Sequence, residues 1–363
     1  MAVKITGISR DLIIHPGETI ADVLEVRGIT QAELAVRTGV TAAYVSKVIS
    51  GKKDISAKFA LSLEYALDVP KSFWLNLQAN YDAELLELSK ELTITDQERK
   101  VRDELKEVVK YLRKKGKIPV QEKLEESILS LRKVLGVSNL TNLGEIAGAG
   151  AFRISQKISI NPYILGAWIR LCQIAGENRS VEIKYDSSKV EELITEIKNI
   201  MLDIDANIQI ALRDVMKKYG IDFSIMKNFT GAPVQGYLSQ KKDDTYQMTL
   251  TIRGAYADIF WFSLFHELGH LVNGDVGKNS KFLDDGNDKE KEEKADIFAK
   301  DSLINPVDYS VFVGEQNFTI ESIKRFSASQ RVMPYIVIGR LQKEKRLRYD
   351  QYNEYKLRYK WVE

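Results

Sequence analysis

The sequence predicts a multidomain protein: an all-α helix-turn-helix segment at the N-terminus, then a helical spacer, then an α+β domain. Three observations carry this expectation. At 363 residues the chain exceeds the roughly 250 to 300 residues at which single cores stop growing. Its first eighty residues break into short helices punctuated by glycine. Much later, the alternating stretch "TYQMTLTIRG" precedes an apolar run, "DIFWFSLFHELGH", that holds two of the chain's three histidines four residues apart. The expected divisions are 1–82 (helix-turn-helix), 83–149 (helical linker or dimerisation region), 150–310 (α+β domain) and 311–363 (C-terminal helical tail).

The apolar fraction of 44% and charged fraction of 29% describe an ordinary globular chain. A net charge of +2 excludes a protein that coats polyanions over its whole surface, so any nucleic-acid contact has to be a local patch. No N-terminal segment reads as a signal peptide, and the longest apolar runs fall well short of roughly 18 membrane-spanning residues. The expected location is therefore cytoplasmic. One cysteine, Cys172, allows no intrachain disulfide and no thiolate cluster. It shares helical core spacing with Leu165, Trp168 and Ile169, which predicts a buried structural thiol.

In the N-terminal segment, Pro16 and Gly17 open a first helix with Ile20, Val23 and Leu24 on one face, and Gly28 closes it. Thr30 and Glu33 form a capping-box signature for a second helix, whose Leu34 and Ala35 point inward. Gly39 turns the chain into a third helix from about Thr41 to Ile49, with Val45, Val48 and Ile49 as its inner stripe. Such a helix, turn, helix unit places its second helix in the DNA major groove. The outward positions there are Thr41, Ala42, Ala43, Tyr44, Ser46 and Lys47. Gln31, Lys52 and Lys53 stand where they can donate to phosphates. From Thr41 to Lys58 the charge is locally +3, four lysines against Asp54, although residues 1–82 balance nine basic against nine acidic side chains. The run from "HPGETIADVLEVRG" to "YALDVPKSFWLNLQANYD" resembles the HigA-type antitoxin branch of the Xre/Cro repressor family. The resemblance implies a homodimer bound to operator DNA. His15, in "HPGE", is expected to be a capping or structural residue.

Residues 83–135 are rich in Glu, Lys and Leu. Val101, Leu105, Val108, Val109 and Leu112 recur at helical spacing, which predicts amphipathic helices with solvated charge runs.

The metal expectation rests on "FHELGH". Residues four apart stand one turn above each other on a helix face, so His266 and His270 can present imidazole nitrogens to one ion, and Glu267 can reach a water bound to it. A hydrolytic zinc site needs a third protein ligand and an open position. No histidine remains for it, so the ligand has to be an acid from the downstream set Asp284, Asp285, Asp288, Glu290, Glu292 and Glu293. Glu292 shares a helical face with Ala295 and Asp296; Glu293 points away and is the second choice. Asp296 is placed to accept a hydrogen bond from a ligating histidine's outer nitrogen. "TYQMTLTIRG" is expected to be a strand with one buried face; an edge strand beside the histidine helix could pair with an extended peptide, and an ordinary structural strand is just as compatible.

The pattern HExxH followed by ExxxD is similar to that of the gluzincin metallopeptidases. More narrowly, residues 150–363 resemble the ImmA/IrrE family through "FHELGH", the later "EEKADIFA" and "LINP". The resemblance implies zinc held by His266, His270 and Glu292, with Glu267 as general base. Lys294 stands where many members have an acid, a local departure that leaves the ligand set intact. The combined expectation is a regulator whose zinc endopeptidase cleaves a partner repressor of the Xre type, or its own chain, to relieve repression. The alternative is a non-catalytic HigA-like antitoxin whose C-terminal domain binds a toxin or senses a ligand.

Overall fold

The computed structural model describes residues 13–148, 160–177, 179, 181–241, 244–276, 281–283 and 289–361. The chain divides into two compact units, 1–95 and 96–363. Among the described residues no helix is long and apolar enough to cross a membrane.

The first unit is helical: α1 (Pro16–Arg27), α2 (Gln31–Thr38), α3 (Ala42–Ile49), α4 (Ala57–Leu67) and α5 (Lys71–Ser89). Its boundaries follow local chemistry. His15 caps α1, its Nδ1 accepting from the Gly17 amide at 2.9 Å. Thr30, Thr41 and Ser56 cap the next three helices through their hydroxyls. Gly28 and Gly39 terminate α1 and α2 with φ of 64° and 68°, in the left-handed region that costs glycine nothing. Ile20, Leu24, Leu34, Val45, Val48, Phe59, Leu63 and Trp74 form the core. Gln78 on α5 anchors the loop before α4 by accepting from the Ile55 amide at 2.9 Å. The expected division after residue 82 falls inside α5, which continues unbroken to Ser89; the unit ends at Thr95 instead.

The second unit opens with α6 (Asp96–Glu104), α7 (Lys106–Lys114), α8 (Leu124–Leu135) and α9 (Asn142–Gly148). The sequence predicts a spacer or dimer arm with solvated charges; most of the charged side chains here are exposed as expected, but the helices belong to the second unit rather than standing apart as a spacer. Val101, Leu105, Val108, Val109 and Leu112 are buried within the unit, and Glu107 of α7 accepts from the amide and hydroxyl of Thr230 at 3.0 and 2.9 Å. Glu98 is fully buried, paired with Arg132 at 2.5 Å and accepting from the Leu140 amide at 2.9 Å. A buried carboxylate is tolerable because its charge is matched and its lone pairs are used. The segment "GEIAGAGAFRIS" lies largely outside the described residues.

Then follow α10 (Pro162–Glu177), α11 (Val190–Leu202), α12 (Ile208–Lys217), β1 (Ile221–Ile225), β2 (Gly236–Gln240), β3 (Tyr246–Leu250), α13 (Ala257–Val272) and β4 (Lys281–Leu283). After them come α14 (Lys289–Leu303), α15 (Pro306–Gly314), α16 (Ile320–Ser329) and α17 (Pro334–Lys343). The sheet order is β1-β3-β2-β4, with β1 parallel to β3 and the other pairs antiparallel. The expectation of a single buried face for "TYQMTLTIRG" therefore fails, and of its two open placements the structure takes the ordinary structural strand. β3 is an interior strand, and both of its faces are buried. Met248 and Leu250 join the main core with α13, while Gln247 and Thr249 are also buried, Gln247 donating to the carbonyl of Cys172 on α10. The polar alternation reflects a layer of specific hydrogen bonds rather than a wet face.

Helix α13 is buried along nearly its whole length and contributes to the main core of the unit. Phe260, Trp261, Leu264, Phe265 and Leu268 pack against Leu238, Met248 and Leu250 of the sheet and Val337 and Leu341 of α17. The tail reads as expected in outline, with two helices parted before Pro334, which takes the first position of α17.

Candidate functional site

Two sites are built from these elements, one in each unit. In the second, α13 and α14 cross so closely at Gly269 that an added Cβ would lie 3.0 Å from the Ala295 Cα. That approach sets Glu292, one turn before Asp296, against the histidine face of α13. Among the described residues, His266, His270 and Glu292 offer ligand atoms that all lie within 4.8 Å of one another. His266 Nε2 is 3.2 Å from Glu292 Oε2 and His270 Nε2 is 3.5 Å from Glu292 Oε1. Glu292 Oε1 is buried and among the described residues makes no hydrogen bond.

The outer nitrogens define the tautomers. His266 Nδ1 donates to Asp296 Oδ1 at 3.0 Å, and His270 Nδ1 donates to Asp275 Oδ2 at 2.8 Å. Ionised carboxylates only accept, so each Nδ1 carries the proton, and in the neutral ring each Nε2 keeps a lone pair. Those lone pairs face each other at 3.0 Å beside a carboxylate. Burial lowers the pKa of His270, against the pull of its bond to Asp275, so the neutral ring is favoured. Burial pushes the Asp296 carboxyl up, yet the bond to His266 and the charges of His266, Lys300 and Lys343 hold it below its ordinary value. Two lone pairs and a carboxylate converging in a buried space fit a divalent cation of the zinc class, which takes nitrogen and oxygen ligands and whose histidines characteristically donate outward to carboxylates.

Glu267, one position round the helix, is 1% exposed and faces the start of β2. A Cβ on Gly236 would lie 1.8 Å from its Oε1, so glycine at that strand position is what leaves room for the carboxylate. Glu293 is exposed on the other side of α14, and Asp284, Asp285 and Asp288 lie outside the described residues. Sequence reasoning missed Asp275 and Gly236. The signal for Asp275 was present: Gly274, at φ 72°, turns the chain so that the Asp275 amide bonds back to the His270 carbonyl at 3.0 Å, returning its side chain to the ring. Gly236 carried no local signal, since its constraint comes from a helix thirty residues later.

In the first unit, Gln31, Thr41, Ala42, Ala43, Ser46, Lys47, Lys52 and Lys53 are exposed, and Tyr44 is half-buried. Gln31 is the first residue of α2, where backbone N–H groups lack partners within the helix. The Thr41 hydroxyl accepts from the Tyr44 amide at 3.2 Å, so it serves the helix as well as facing outward. Tyr44 packs edge-on to Phe59, with the Lys53 ammonium 4.4 Å above its ring, which steadies a lysine that would otherwise be free.

Comparison with known proteins bears on this unit. The helix-turn-helix family model matches residues 20–74. The chain is 45% identical over 69 residues to virulence-associated protein A' of Dichelobacter nodosus, a match covering 19% of this chain and 60% of that protein's length. Among solved structures, it is similar to an addiction-module antidote protein of a HigA family from Coxiella burnetii, at 32% identity over 23% of this chain and 95% of the other, with a TM-score of 0.21. It is also similar to the Pseudomonas aeruginosa antitoxin HigA with the higBA promoter, at 32% identity over 23% and 96% of the two chains and a TM-score of 0.21. The N-terminal unit thus carries an Xre-type helix-turn-helix domain.

Proposed function

We propose that this protein is a DNA-binding regulator whose second unit is a zinc-dependent endopeptidase of the ImmA/IrrE kind. The N-terminal surface supports a double-stranded operator as partner, read by a homodimer through α3, with Lys47, Lys52, Lys53 and Gln31 on phosphates. Ala42 and Ala43 offer only apolar contact to base edges, so sequence readout falls to Ser46, Tyr44 and Thr41.

The observation that carries the peptidase reading is the buried meeting of His266 Nε2, His270 Nε2 and Glu292 with both outer nitrogens bonded to carboxylates. Structural needs alone do not call for two lone pairs aimed at each other in a core. His266, His270 and Glu292 would hold the ion. When bound, zinc supplies a Lewis acid that polarises a peptide carbonyl and makes water acidic enough to ionise near neutral pH. The chain's own residues do the rest. Asp296 and Asp275 fix the two rings and raise their basicity. Glu267, desolvated beside Gly236, takes the proton from the attacking water and returns it to the leaving amine. The substrate is proposed to be a regulator, an Xre-type partner or the chain itself, whose cleavage relieves repression.

A second reading, favoured by the antidote and antitoxin names of the similar structures, is a non-catalytic antitoxin whose second unit holds a toxin. The two separate in one experiment. Wild type and Glu267→Gln are expressed in parallel, and new protein termini are catalogued by mass spectrometry. The peptidase reading expects termini, on this chain or on another regulator, that vanish in Glu267→Gln; identical termini in both, together with a stoichiometric co-purifying protein, would favour the antitoxin.

A further inference from the structure

Away from the metal centre, at the opposite end of the strand order from β4, a cavity of about 280 Å³ opens beside β1. Its apolar walls include Val181 and Phe223, and its polar groups are Arg179, Arg213, Lys217 and Asp222. The balance of charge is what marks it. Asp222 is buried and already compensated twice, by Arg179 Nε at 3.1 Å and by Lys241 Nζ at 2.8 Å. Lys241 spends its remaining donors on the carbonyls of Gly176 and Arg179, at 2.9 and 3.0 Å. Arg179 is held in place by the Ala175 carbonyl at 3.0 Å, yet its Nη2 is buried and among the described residues makes no hydrogen bond. Arg213 and Lys217 stand one turn apart on the same face of α12, and among the described residues neither has an ion-pair or hydrogen-bond partner. Like charges at this spacing repel. The carbonyl end of α12 helps Lys217 in its last turn, but Arg213 lies before that turn.

We infer that this cavity is a binding site for a compact polyanion, phosphate- or carboxylate-bearing, held between the two cations of α12 and the half-buried guanidinium of Arg179. A planar guanidinium with a spare donor and a lysine beside it suit the paired oxygens of either group. Such a ligand would bridge α12, the edge strand β1 and the segment that follows α10, three parts of the same unit. The site does not depend on the metal centre or on the peptidase reading, so a small-molecule signal could act on this unit whichever function it performs.

The test uses the full-length chain, titrated calorimetrically with inorganic pyrophosphate and, separately, with citrate, at constant ionic strength set by chloride. Saturable binding of one of them at or below about millimolar concentration is expected, and which one binds names the source of the charge. Arg213→Ala and Lys217→Ala should each weaken it about tenfold or more, roughly the worth of one charge-assisted hydrogen bond. Among the described residues both side chains lack partners, so circular dichroism and melting of the unliganded variants should match wild type. No saturable binding of either anion, or binding that both variants retain at full strength, would overturn the assignment.

Discussion

The two units put their chemistry in opposite places. In the first, Gln31, Ser46, Lys47, Lys52 and Lys53 are exposed, and the core of Ile20, Leu34, Val45 and Phe59 holds the shape without them. In the second, His266, His270 and Glu267 are buried within the helix that also supplies the core residues Trp261, Leu264 and Leu268. A surface site can therefore be altered without disturbing the fold. A site inside a core cannot, because each functional group is also a packing group with hydrogen-bond obligations.

This contrast can be broken at several points, and the largest effect is expected at Glu267. Glu267→Gln is nearly isosteric, so the metal should stay bound while formation of the proteolytic termini falls about 10²- to 10⁴-fold, the usual worth of a general base. Gly236→Ala should mimic it from a different element: the new methyl would lie 1.8 Å from Glu267 Oε1, forcing the carboxylate away, and overpacking should cost about 1 to 3 kcal/mol in denaturant titrations. An alanine there with full activity and stability would show that Glu267 is not confined by β2. Asp275→Asn should weaken zinc about 10- to 100-fold in competition with a chelator, since it removes the charged acceptor of His270 Nδ1.

Smaller effects are expected in the first unit. Replacing Lys47, Lys52 and Lys53 together by alanine should reduce the slope of log K against log salt by up to about 3 on duplex DNA, at about 0.9 per phosphate contact. The same triple variant should melt as wild type does, which is the sharpest contrast with the second unit. Least of all is expected from Cys172: burial pushes its thiol pKa well up, so a thiol reagent at mildly alkaline pH should leave the native chain unmodified and react only on unfolding.

How much of this was legible depended on range. The capped helices of the first unit are written locally, in Thr30, Thr41, Gly28 and Gly39, and periodicity marked the inward stripes. In the second unit, HExxH is a local signal, and the face shared by Glu292 and Asp296 follows from helical geometry. The interior position of β3 was not readable, because strand order is set by which partners arrive from elsewhere, β1 on one side and β2 on the other. Nor was the role of α6 to α9 as part of the second unit, since Glu98 looks like any surface glutamate until Arg132 and the Leu140 amide are brought to it.

The central claim is the metal centre, and elemental analysis of the purified full-length chain tests it most directly. After incubation with zinc and removal of the excess, wild type and Glu267→Gln should each retain close to one ion per chain, and Glu292→Ala much less. Wild type that retains no zinc under those conditions would contradict the account and leave the buried histidine pair without a function.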